Sequence, residues 1–169
     1  MKFKDIPKFT SVHGYQINVF LHQLKRNIDE YLEAGLEINP DFQRGHIWTE
    51  DQQIRYVEYF LRGGTSARII YFNSPNIMMG ELPFVLVDGL QRLTALLRFL
   101  NNEIKAFGYY YMEFEGRTDV NLIFVVNDLK TREEVLQWYI EMNSGGTVHS
   151  DEEIARVKML LEEERQKVG

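Results

Sequence analysis

The chain has no cysteine, which excludes disulfides, thiolate zinc centres and cysteine nucleophiles together. Proline is scarce, at 4 in 169 residues, and no stretch is rich in proline, glycine and serine, so no linker divides the chain. Apolar runs fall well short of the roughly 18 residues that a membrane-spanning helix needs, so no membrane partner is expected. The opening MKFKDIPKFTSVHG has no apolar segment of the secretory type, and a cytoplasmic location is the expectation. The histidines at 13, 22, 46 and 149 show no HxH, HExxH or His-Asn-His pattern, so no histidine metal site is expected. Neither GxxxxGK[ST] nor GxGxxG occurs. Basic charge is also short: 19 Lys and Arg stand against 25 Asp and Glu, a net charge of −6. Duplex DNA binding rests on neutralising phosphates, so tight binding to a plain duplex is not expected, although a local basic cleft is compatible with this balance. What is present suits one folded domain, since 44% hydrophobic residues can build a core and 13% aromatics leave rings over for a ligand.

Periodicity and turn residues divide the chain into short elements. Residues 1–14 have no clear period and read as an arm, and YQINVF (15–20) alternates as a strand does. A helix follows over 21–34 on Leu21, Leu24, Ile28 and Leu32, with Gly35 as its stop. Thr49 and Gln52 form a capping box for a helix carrying Ile54, Val57 and Leu61, which Gly63-Gly64 ends. ARIIYFN (67–73) reads as a strand, SPNIMMGEL (74–82) as a loop, and PFVLVDG (83–89) as a strand buried on both faces. A helix over 90–101 points Leu93, Leu96, Leu97 and Leu100 inward; 104–114 reads as a strand or hairpin, and NLIFVVN (121–127) as a further buried strand. Thr131 with Glu134, and Ser150 with Glu153, cap two last helices, the first carrying Val135, Tyr139 and Met142 and the second Ile154, Val157 and Leu161. The last helix ends in EEERQKVG, a charged, solvated tail. Helices and strands mix without regular alternation, which favours an α+β fold.

Three segments could carry chemistry. In FVLVDGLQRLTALLRFL (84–100) a buried strand ends in Asp88-Gly89 and turns into a helix whose first turn holds Gln91 and Arg92. Such a helix start attracts anions; Gly89 permits close backbone approach, Arg92 offers a planar fork for phosphate, and Asp88 suits Mg²⁺ binding or general-base work. The plain alternative is that Asp88 caps the helix and Arg92 pairs with an acid. In INPDFQRGHIWTEDQQ (38–53), Gln43, Arg44, His46 and Trp48 crowd one loop. An arginine beside an indole suits a phosphate and a flat base, while the alternative is that Trp48 anchors the loop to the core. In MNSGGTVHSDEE (142–153), the small polar run Asn143 to Thr147 either wraps a ligand or merely connects helices.

INPDFQRGHIW, a helix ending LRGG, IIYFN, LVDGLQRLTALLRFL and MNSGGTVHSDEE, in that order, resemble the N-terminal domain of GmrSD-type modification-dependent restriction systems over roughly residues 15–155. The family signature is DGQQR; here residues 88–92 read DGLQR, with Leu90 in place of the first Gln. The resemblance implies a ParB/sulfiredoxin-like fold, a small mixed sheet flanked by helices with a helical C-terminal end. It divides the chain into an arm (1–14), an NTP-binding domain (15–155) and a C-terminal helix end and tail (156–169). It further implies a nucleoside triphosphate as ligand and substrate, with Mg²⁺. Asp88, Gln91 and Arg92 would act in hydrolysis, Asp88 would hold the metal, and Gln43, Arg44, Gly89, Asn143, Gly145, Gly146 and Thr147 would contact nucleotide or phosphate, with Trp48 against a base. Candidate partners are modified DNA and a separate nuclease or regulatory protein, because restriction relatives carry a C-terminal His-Asn-His nuclease domain with no counterpart in this sequence. Two other readings stay open: a non-catalytic module that binds modified DNA or protein, and a phosphotransferase using Asp88 as base.

Overall fold

A computed structural model describes residues 1–8, 14–43, 47–75, 84–144 and 151–168. Five strands form one mixed sheet: β1 (Tyr15–Phe20), β2 (Leu36–Glu37), β3 (Ile69–Asn73), β4 (Phe84–Asp88) and β5 (Asn121–Asn127), in the order β1-β5-β3-β4-β2. β1 runs antiparallel to β5 and β3 antiparallel to β4, whereas β3–β5 and β2–β4 are parallel. Five helices surround it: α1 (Leu21–Glu33), α2 (Glu50–Leu61), α3 (Leu90–Leu100), α4 (Arg132–Ser144) and α5 (Asp151–Val168). The fold is α+β, as expected.

β4 is the pivot of the packing. Its central residues are buried on both faces, as the apolar run at 83–89 predicts. Leu86 joins a core with Leu24 and Ile28 of α1, Val57 and Phe60 of α2, and Leu93 and Leu96 of α3. Val85 and Val87 join a second core with Val135, Leu136 and Tyr139 of α4, Val157 and Leu161 of α5, and Phe42. Helices α1 to α3 therefore cover one face of the sheet, and α4 and α5 the other.

Local signals held where their partners lie close in sequence. Thr49 accepts from the Gln52 N–H while the Gln52 amide accepts from the Thr49 N–H, and Thr131 and Glu134 make the same reciprocal pair. Gly35 (φ 91°) and Gly63 (φ 84°) take the left-handed backbone just past α1 and α2. The third capping box rests on Ser150, outside the described residues.

Three expectations are corrected. Residues 104–114 form no strand; they hold one isolated bridge, Ala106 to Tyr109, and a 3₁₀ turn at Tyr111–Glu113. Positive φ at Asn102, Phe107 and Gly108 breaks the extended backbone a strand requires. In α1, Leu32 is exposed, and in α3 the inward face is Leu93, Ala95, Leu96 and Phe99, with Leu97 and Leu100 only half-buried. β5 buries Leu122, Phe124 and Val126, while Ile123 and Val125 on its other face are half-buried. As the sequence suggests, the last helix itself carries the charged end: α5 continues to Val168, and Arg165 reaches Glu133 of α4 at 2.9 Å. Among the described residues, no helix is long and apolar enough to cross a membrane.

Candidate functional site

The β4–α3 turn is built around Gly89. Its φ of 107° lies in the left-handed region, and a Cβ there would meet Ile70 Cδ1 at 2.6 Å. Two independent constraints thus demand glycine. Gly89 is also the N-cap of α3, and no side chain caps this helix. Asp88 does not cap it, against the plain alternative, and the helix start keeps its donor character.

Asp88 turns instead to Arg92, one helical turn ahead: Arg92 Nη2 donates to Asp88 Oδ2 at 2.5 Å. The two side chains are 21% and 23% exposed, so the pair is largely shielded while still touching solvent. Half of the plain reading is therefore realised in an unforeseen form, because the acid that Arg92 finds is Asp88 itself. Leu90, where the family signature has Gln, packs against the first core.

Two hydrogen bonds bring the second sequence segment to this turn. Gln43 Nε2 donates to the Leu86 carbonyl at 2.5 Å, two residues before Asp88. The Trp48 backbone N–H donates to Gln91 Oε1 at 2.9 Å. Gln43 and Gln91, 48 positions apart in sequence, each fasten one end of the 43–48 segment onto the β4–α3 junction. Trp48 is half-buried and packs on Tyr56, ring centroids 5.3 Å apart. Burial pushes the Tyr56 phenol well above its ordinary value, and the nearby Arg92 charge opposes that shift. Tyr56 donates to the Ala67 carbonyl at 2.9 Å.

Asn143 is buried on α4, across the sheet, and its amide donates to the Tyr139 carbonyl one turn back at 2.7 Å. The described contacts tie it to its own helix and not to Asp88. Arg44, Gly145, Gly146 and Thr147 lie outside the described residues.

Contacts that sequence reasoning missed hold the Gln43 side in place. Arg132 of α4 grips Asp41 with both carboxylate oxygens at 2.8 Å. The Phe42 ring meets Tyr139 at 5.3 Å, and Arg156 of α5 donates to the Phe42 carbonyl at 3.3 Å. Among the described residues Arg156 Nε is buried without a partner. No sequence signal marked Arg156, since it sits in a helix dense with charge.

The family model for the GmrSD restriction endonuclease N-terminal domain matches residues 21–121, more than half of the 169-residue chain. That match includes both segments joined at the β4–α3 turn and stops short of the 142–153 segment. No curated protein and no solved structure shows significant similarity to the chain. On this match the chain belongs to the family of GmrSD restriction endonuclease N-terminal domains.

Proposed function

We propose that this domain binds a nucleoside triphosphate at the β4–α3 turn and hydrolyses it, within a system that restricts modified DNA. The observation that carries the reading is the double fastening of the 43–48 segment, by Gln43 to Leu86 and by Gln91 to Trp48. It supports a single site drawing on DGLQR and on the FQRGHIW segment, in which Arg44 directly follows Gln43. The uncapped start of α3, the side-chain-free Gly89 and the Arg92 fork together suit a phosphate chain. Arg156 adds a second cation on the Gln43 side.

The metal is tested by the donor set. Among the described residues no three metal-ligating side chains cluster, so an all-protein cage is not supported. Mg²⁺ commonly takes one or two carboxylates, keeps waters and completes its shell with phosphate oxygens, and the single carboxylate of Asp88 fits that mode. The ion, when bound, would neutralise charge on the phosphates. In this reading Asp88 both orients the Arg92 guanidinium and competes for it, so phosphate binding exchanges one anionic partner of Arg92 for another. Gln91 holds the Trp48 backbone at the turn. Leu90, half-buried, packs against the first core at the position where the family signature has Gln.

The test is phosphate release with each of the four NTPs, with and without Mg²⁺, alongside nucleotide-dependent melting shifts. Mg²⁺-dependent release abolished by Asp88→Asn supports hydrolysis. A melting shift without release assigns a binding module, and the absence of both removes the nucleotide reading.

A further inference from the structure

The LRGG motif at 61–64 has so far explained only where α2 stops, yet it borders an open cleft of about 640 Å³. Arg55, Glu58, Tyr59, Arg62, Gly64 and Thr65 line it. At about 1.5 Å per residue, Arg55, the lining residue nearest the start of α2, lies roughly 9 Å along the helix from Thr49, beside which Trp48 meets Gln91. It is therefore distinct from the β4–α3 turn.

Among the described residues its arginines stand outside the ion pairs that hold five others. Arg26, Arg92, Arg98, Arg132 and Arg165 each pair with a carboxylate. Among the described residues Arg55 and Arg62 pair with none, although Asp51 and Glu58 stand four residues before them, the spacing that favours an ion pair on a helix. The Glu58 carboxylate instead accepts the Phe107 N–H at 2.8 Å. Arg68 reaches in from the start of β3, donating to the Gly63 carbonyl at 3.3 Å, with its Nε buried and unpartnered. Among the residues that line the cleft, the guanidinia of Arg55 and Arg62 stand against the single carboxylate of Glu58, which makes this a basic cleft on a chain of net charge −6.

The cleft also holds a fixed ring. Tyr59 is 46% exposed, and its hydroxyl lies 2.8 Å from Ser66 Oγ. The ring passes so close to Gly64 that a Cβ there would stand 2.2 Å from it. The Gly-Gly pair thus does more than end a helix: it lets the backbone lie against Tyr59 and hold the ring still, with one part open to solvent.

An exposed, immobilised aromatic ring between uncommitted guanidinia matches one ligand chemistry: an unstacked base with the phosphodiesters on either side of it. We infer that Tyr59, Arg55 and Arg62 form a contact site for single-stranded DNA, with the base on Tyr59 and its flanking phosphates on the two arginines. This inference goes beyond the nucleotide reading and does not depend on it.

The test is fluorescence anisotropy of a labelled twelve-residue oligothymidylate against the full chain. Binding should weaken with salt at a slope of about −1.4 in log–log form, the value for two phosphate contacts on a single strand. Arg55→Ala/Arg62→Ala should lose about tenfold or more in affinity, since each guanidinium supplies a charge-assisted contact. Tyr59→Ala should lose about fivefold or more, and Tyr59→Phe, which keeps the ring, should bind close to wild type. Both arginines are exposed, so the double variant should melt with the wild type and keep any nucleotide-dependent melting shift, which separates failure here from failure of the β4–α3 reading. The inference is overturned if the wild type does not bind the oligonucleotide at about 50 mM salt. Unchanged binding by the double variant overturns it too, as does displacement by polyglutamate as effective as by unlabelled oligonucleotide, which would mark a surface for acidic protein.

Discussion

Replacing Arg92 by alanine tests how the turn is held together as well as what it binds. Read from sequence, Arg92 is an exposed first-turn residue whose loss should cost about 1 kcal/mol or less. The structure changes that arithmetic, because its side chain is 21% exposed and bonds Asp88 at 2.5 Å. A fully exposed ion pair is worth about 0–1 kcal/mol, whereas breaking a buried one costs about 3–5 because a charge is left stranded. A pair shielded to this extent should fall between, near 2 kcal/mol. For a domain of this size that lowers the melting temperature by about 4–8 °C. Asp88→Asn/Arg92→Ala removes the stranded charge and should recover part of the loss, so the two single changes should be non-additive. Nucleotide affinity should fall about tenfold to a hundredfold in Arg92→Ala, the worth of a charge-assisted contact of about 1.5–3 kcal/mol. Calorimetric unfolding of the four proteins of the cycle, with nucleotide titration of each, supplies both measurements. Additive losses would refute the ion-pair argument, and nucleotide affinity unchanged in Arg92→Ala would refute the phosphate role.

Further outcomes follow from neighbouring geometry. Gly89→Ala forces a left-handed φ on a residue with a Cβ and drives that atom into Ile70, and should cost about 2 kcal/mol or more in thermal unfolding; an unchanged melting temperature would mean that the turn adjusts freely. Gln91→Leu removes the acceptor of the Trp48 N–H and should cost about 1–2 kcal/mol, with a changed Trp fluorescence signal as the 43–48 segment loosens; an unaltered spectrum and stability would count against the fastening. The phenol of Tyr31 is pushed up to about 12, chiefly by burial and then by the Tyr15 and Glu30 charges, and burial raises Tyr56 as well. Both folded values lie above the ordinary 10, so the unfolded chain releases these protons first. Their contribution is complete below pH 10 and lost as pH rises through about 12, so melting temperature should drop across that window, less steeply in Tyr31→Phe; a flat profile would refute the shifts.

The sequence alone determined whatever depends on residues a few positions apart. Apolar spacing located β1, β3, β4 and β5, the two described capping boxes sit where Thr49 and Thr131 place them, and glycines end α1 and α2. These features are legible because a capping bond or a left-handed turn is satisfied within one turn of chain. It also put Asp88, Gly89, Gln91 and Arg92 at one strand–helix junction, since that junction is local.

Tertiary structure decided everything that needed a distant partner. Leu97 and Leu100 share the helical spacing of Leu93 and Leu96, but only contact with the sheet and with α2 settled which leucines are buried and brought Phe99 inward. The aromatic run at 104–114 has strand-like composition, yet left-handed residues and bonds such as Phe107 to Glu58 override it, because β preference is a preference for a surface to pack on. Gln91 holding the Trp48 backbone and Arg156 reaching Phe42 depend on elements far apart in sequence that only the folded chain brings together. So does the freedom of Arg55 and Arg62, since a pattern of charges shows which acids are near in sequence and only the folded surface shows which of them are already engaged elsewhere.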